Sequence, residues 1–331
     1  MRRWIPWWVL LAACGNASGS APRALVEDFV ERSVAVACEP VRAPDVAPAP
    51  GLIADATDST FLVYPVNETR VVLLDARLTP VQEIAFERDG PAGIGEVQAI
   101  AFDADGSVWV ADQKARAVKA FGPDGLRRIV RTDFFATFLA GGVGGVFAAA
   151  ASGGEAGSLL HEMRGDVFEA LPVAPLRRTD FLLSMLSNHV ALATLPKGGV
   201  VAAHTMFEPI AHIWTPTGGT RTVALPYPDE AEAQLDYEPQ MPIDEEDYAK
   251  MAVGALAISV DRAANEVLFL TRSGRLRNGR PERALIRTDA ELRYLRSYLL
   301  DVHAGHMVHL SRIGTTIVVD DEDRWFRCTT P

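Results

Sequence analysis

The stretch VQAIAFDADGSVWVADQKARAVKAFGPDGLRRIVRT, Val97–Thr132, constrains the fold more than any other part of the chain. It holds an apolar run at Ala99–Phe102, an Asp-Gly pair at Asp105-Gly106 and an alternating run through Val108 and Val110. A third run carries Val118 and Phe121, a second Asp-Gly pair sits at Asp124-Gly125, and a last run ends at Val130. Side chains alternate faces along a strand, and Asp-Gly suits tight hairpin turns, so the pattern predicts four successive antiparallel strands. A sheet this small must bury its faces against neighbours. The next question is whether the unit recurs.

It does, in divergent form. Four short runs can be read in 52–86, 138–171, 190–225 and 256–300, and three more from Met307 to the end. Aligning the second run of each unit at Phe61, Val108, Val146, Val200, Val267 and Ile317 gives spacings of 38 to 67 residues. The shortest is a bare blade of about 40 residues. The segment IAFDADGSVWVAD followed by VKAFGPDG resembles an NHL-type β-propeller blade. That resemblance implies an all-β, six-bladed β-propeller and says nothing specific about chemistry. The competing arrangement is a two-sheet sandwich.

The sixth unit has room for three strands only, and an open ring would leave an unpaired edge. Val34–Glu39 (VAVACE) alternates like a strand and precedes the first full blade. This N-terminal segment is expected to close the last blade as its outer strand. It would carry Cys38 beside Cys328, at a separation that suits a disulfide in an oxidising compartment.

The third cysteine has another setting. The chain opens MRRWIPWWVLLAACGNASGS, with two arginines followed by ten apolar residues, too few to span a bilayer and typical of a signal peptide. Leu11-Ala12-Ala13-Cys14 resembles the bacterial lipobox. The resemblance implies cleavage before Cys14 and its acylation, hence a signal peptide at 1–13, a lipidated cysteine and tether at 14–32, and a propeller domain at 33–331. Gly15 replaces the aspartate that retains many lipoproteins at the inner membrane, so the outer membrane or cell surface is expected. The partners implied are a membrane, through the lipid anchor, and a protein or small-molecule ligand at the propeller channel.

Charge removes one class of partner. Net charge is −11, whereas a phosphate backbone needs a basic face, so nucleic acid is excluded. Gly-x-Ser-x-Gly, Walker and Cys-x-x-Cys patterns are absent, and no cofactor is implied. Asp103, Asp105 and Gly106 read as a turn, because the other ligands of a calcium loop are missing. His204 and His212 flank a hairpin; a turn centred on Glu208 would set the imidazoles directly opposite each other, a geometry that suits zinc but lacks a third ligand. Among His303, His306 and His309, only the first and last would share a strand face. An insertion at 226–253 holds nine carboxylates between Pro228 and Lys250, and reads as a solvated loop, a lid or a docking surface. Arg272, Arg275, Arg277, Arg280, Arg283 and Arg287 cluster nearby and are expected to pair with it. The segments 139–145 and 255–259 are small and apolar, which fits walls of an axial channel better than the ligand set of a gluconolactonase-type centre. The reading is an extracytoplasmic binding module; the alternative is a lactonase-like hydrolase or lyase with a metal at the channel.

Overall fold

A computed structural model describes residues 32–153, 157–174, 176, 186–207, 209–225, 254–277 and 280–330. The expected signal peptide, Cys14 and the acidic insertion therefore lie outside the described residues. Within them the chain forms six β-sheets, five built on a four-stranded meander and the sixth on three C-terminal strands completed by an N-terminal one, arranged as a six-bladed β-propeller. The first strands of the blades are Pro50–Asp55, Val97–Phe102, Phe134–Gly142, Val190–Thr194, Ala257–Asp261 and Ala304–Leu310. Side chains from all six line one axial cavity. The expected second strands are all present, starting at Thr60, Val108, Gly145, Val200, Glu266 and Thr315. At the Asp-Gly turns, Gly106 and Gly125 take φ of 82° and 103°, the left-handed region that a β-carbon disfavours.

The core is distributed between blades. Apolar clusters fill each interface, and large rings pin them: Phe61 lies 6.3 Å from Trp325 between blades 1 and 6, and Phe147 lies 5.9 Å from Trp214 between blades 3 and 4. This is why no blade reads as self-sufficient in the sequence. Each sheet supplies only half of the apolar surface that its neighbour needs.

Closure differs from expectation in one respect. Cys38–Val41 pairs antiparallel with the last strand, with Cys38 opposite Cys328, and the two are joined by a disulfide with Cα atoms 4.3 Å apart. Val34–Val36, however, does not belong to blade 6. It pairs parallel with Tyr298–Leu300 and makes blade 5 five-stranded. The chain passes from one blade to the next at Ala37, where the Asp301 carboxylate accepts the Cys38 N–H at 2.8 Å. The N-terminal segment therefore clasps two blades.

One hairpin device recurs. Asp75, Asp289 and Asp320 each accept the N–H groups two and four residues ahead. The residue three ahead, Leu78, Leu292 or Asp323, sits at φ near 60°. The aspartate side chain supplies the acceptor that holds the chain in this otherwise costly turn.

Candidate functional site

The axial cavity has a volume of about 330 Å³. Its walls come from Leu52, Ala99, Leu139, Ala191, Ile258 and Met307, so the segments expected to be small and apolar do line the channel. Gly141 lets two inner strands approach: a β-carbon there would lie 2.4 Å from the Phe102 carbonyl oxygen. Polar groups are few. Gln98, Thr137, His189 and His306 sit near the starts of their inner strands, and Asp55 and Thr194 near the ends. In a ring of up-down meanders all inner strands run the same way, so these groups divide between the two mouths.

His189, Asp55, Thr137 and Thr194 are held by hydrogen bonds. His189 Nδ1 is 2.7 Å from the Thr205 hydroxyl, and its ring stands edge-on to Phe138 at 4.6 Å. Burial pushes its pKa down to about 4, so the imidazole is neutral at pH 7. Burial also lowers His306, against the opposing pull of Asp321 and Asp323. Asp55 accepts the Ser259 hydroxyl at 2.7 Å and the Val260 N–H at 3.3 Å, tying blade 1 to blade 5. Ser259 Oγ in turn accepts the His309 N–H of blade 6 at 2.8 Å. Burial raises the Asp55 carboxyl to about 6, outweighing Arg262, Ser259 and Val260.

That shift carries a stability prediction. A carboxyl with its pKa raised on folding contributes most when protonated, and the contribution is lost as pH rises from about 4 through about 6. Asn at position 55 keeps an acceptor for Ser259 and cannot ionise. Asp55→Asn is expected to raise the unfolding free energy at pH 8 by up to about 3 kcal/mol, the gain closing towards pH 4. Urea midpoints across that range check it, and a difference independent of pH would refute the assignment.

The other sequence candidates scatter. His204 and His212 are buried on one face of blade 4 with Nε2 atoms 3.2 Å apart, but they are diagonal, not directly opposite. His212 pairs with Ala202, which centres the turn on Phe207 at φ 64° and not on Glu208. The three C-terminal histidines part company. A bulge between Ala304 and His306 breaks the strict alternation, so His303 bonds Asp321 at 2.6 Å while His309 meets Asp261 at 3.2 Å. His306 faces the cavity.

The arginines are described only in part, and their pairing with the insertion lies outside the described residues. Arg287 is buried and bonds Asp261 and Glu266 within its own blade. Arg283, opposite Arg272 in register, donates to the Ala304 carbonyl at 2.8 Å and lies 3.5 Å from Asp321. The side chains of Arg275, Arg277 and Arg280 fall outside the described residues. Among the described residues, no three His, Cys, Asp or Glu side chains converge as a metal centre would require.

Solved structures share the ring. A member of the DUF4221 family from Bacteroides vulgatus matches with a TM-score of 0.57 at 8% identity, over 90% of this chain and 96% of that one. Virginiamycin B lyase from Staphylococcus aureus, solved with quinupristin, matches with a TM-score of 0.51 at 10% identity, over 84% of this chain and 80% of that one. At such identities the likeness is one of fold. No family model and no curated protein matches the chain.

Proposed function

We propose that this protein is an extracytoplasmic binding module, held to a bacterial membrane by acylation of Cys14, whose ligand occupies the axial cavity. The observation that carries the reading is the cavity itself. Its volume, apolar walls and small number of polar groups are those of a small-molecule site. The Cys38–Cys328 disulfide agrees with life outside the cytoplasm. The lipobox-like Leu11–Cys14 supports the anchor, and Gly15 favours the outer membrane or cell surface over the inner membrane.

The channel is tested with the neutral fluorescent probe 1-N-phenylnaphthylamine. Saturable binding of one probe per chain is expected, weakened at least about tenfold in Ala257→Phe, where the new ring occupies the cavity wall. Equal binding by the two proteins would sink the channel reading. The anchor is tested separately: Cys14→Ser should abolish lipid labelling and release the protein from the membrane fraction. Retained labelling would move the attachment elsewhere.

A lyase or hydrolase reading draws on one observation. His189 is neutral, oriented by Thr205 and set on the cavity wall, as a general base would be. The Staphylococcus aureus neighbour bears a lyase name. A pKa near 4 makes His189 a weak base at neutral pH, which is why binding is the preferred reading.

A further inference from the structure

The charges around the axial cavity are one-sided. Among the described residues that line it there is no lysine or arginine, and there is one carboxylate, Asp55. The two histidines of the wall, His189 and His306, are held below their ordinary range by burial and are neutral at pH 7. An otherwise uncharged wall therefore carries one site of negative charge, at the end of the inner strand of blade 1, Pro50–Asp55.

That carboxylate has acceptor positions to spare. Ser259 Oγ lies 2.7 Å from one of its oxygens and 2.9 Å from the other, and a single hydroxyl proton serves both. The Val260 N–H reaches it at 3.3 Å. A carboxylate offers about four acceptor positions, and two donors among the described residues do not fill them. The neighbouring charges do not compensate it either. Arg262 attracts Asp55, but its guanidinium lies 3.6 Å from the carboxylate of Asp58. The inner strands on either side, Val97–Phe102 and Ala304–Leu310, hold no lysine or arginine. Their titratable groups are His306 and His309, and the His309 ring nitrogens meet Thr316 at 3.0 Å and Asp261 at 3.2 Å. Burial accordingly outweighs Arg262, Ser259 and Val260, and raises the carboxyl to about 6.

The architecture does not require this charge. Ser259 and Val260 are both donors to Asp55, and an amide oxygen would accept from them and tie blade 1 to blade 5 without a buried ionised group. Charges that a protein leaves uncompensated gather at functional sites, where the ligand supplies the missing partner.

We propose that the axial cavity takes a small molecule with an apolar body and one protonated amine, the ammonium donating to Asp55 and the body lying along the apolar walls. This names the ligand class of the site proposed above and rests on the cavity being that site.

The test is calorimetric titration of the full-length protein at pH 7.5 with three probes of nearly equal size: 1-naphthylmethylamine, 1-naphthalenemethanol and 1-naphthoate. The cationic amine is expected to bind at least about tenfold more tightly than the neutral alcohol, with the anion weakest. Asp55→Asn should abolish the preference for the amine. A second readout uses the wild type alone. The amine stays charged down to pH 5, so its advantage should shrink as pH falls through about 6 and Asp55 takes up a proton. Equal binding of amine and alcohol, or a preference that survives both Asp55→Asn and pH 5, would overturn the ammonium site and leave the channel reading standing. Failure of all three probes to bind would overturn both.

Discussion

Replacing Cys38 and Cys328 together by alanine is expected to lower the unfolding free energy by about 5–6 kcal/mol at most. The bridge spans 290 residues of sequence, and the chain-entropy relation rises with the logarithm of that loop. A compact denatured chain reduces the figure, because part of the lost freedom is absent there already. The fold itself should survive, since Cys38–Val41 keeps its pairing with the last strand and Val34–Val36 its pairing with blade 5. Deleting 34–41 should cost more. It exposes the edge of Trp325–Thr329, removes buried Val36 and leaves Asp301 without the Cys38 N–H. Urea unfolding of oxidised wild type, the double variant and the deletion checks the order. A double variant as stable as the wild type would mean that the clasp strands alone hold the ring shut.

The blades were legible because the signals that mark them are local. Asp-Gly pairs mark hairpins, and apolar alternation marks strands, so the second strand of every blade begins within a residue or two of its expected position. The clasp was legible only in outline. Alternation through Val34–Glu39 says that a strand is present, but not that it changes partners at Ala37, because three residues in parallel pairing have no pattern of their own. The His204–His212 register failed on one residue: Phe207 accepts positive φ, and a bulky residue gives no warning of it. The recurring Asp75, Asp289 and Asp320 turns were within reach. Two of them read Asp-Ala-x-Leu at the ends of equivalent strands.

The cavity's polar groups were not legible. Asp55 closes an ordinary apolar strand and His189 stands just before another; what sets them apart is that strands from distant blades converge around one axis. Ser259, 204 residues away in sequence, is what shows that Asp55 faces inward. Sites of this kind follow from ring closure, which no local spacing encodes.

Asp112→Ala is expected to cost about 3–5 kcal/mol, the range for removing one partner of a buried ion pair. Asp112 and Lys119 are 2% and 4% exposed, and their side chains meet at 2.9 Å. The carboxylate also accepts the N–H groups of Gly95, Glu96 and Ala115 at 3.2–3.3 Å, fastening the connection from blade 1 onto blade 2. Burial alone would raise its pKa; Lys119 and the N–H groups of Gly95 and Ala115 outweigh burial and hold it below the ordinary carboxylate range. Its contribution is therefore present at neutral pH and lost only as pH falls through that lowered value. The two partners are not equivalent. Without Asp112, the Lys119 ammonium stays buried with the Gly93 carbonyl as its remaining partner, and three N–H groups lose their acceptor. Without Lys119, the carboxylate keeps those three donors. Lys119→Met should therefore cost less than Asp112→Ala, and Asp112→Leu with Lys119→Met should recover part of the loss by removing the uncompensated charge. Urea midpoints at pH 7 rank the three variants. If Lys119→Met proved the more damaging single change, the ion pair rather than the backbone clamp would be what secures this corner of the ring.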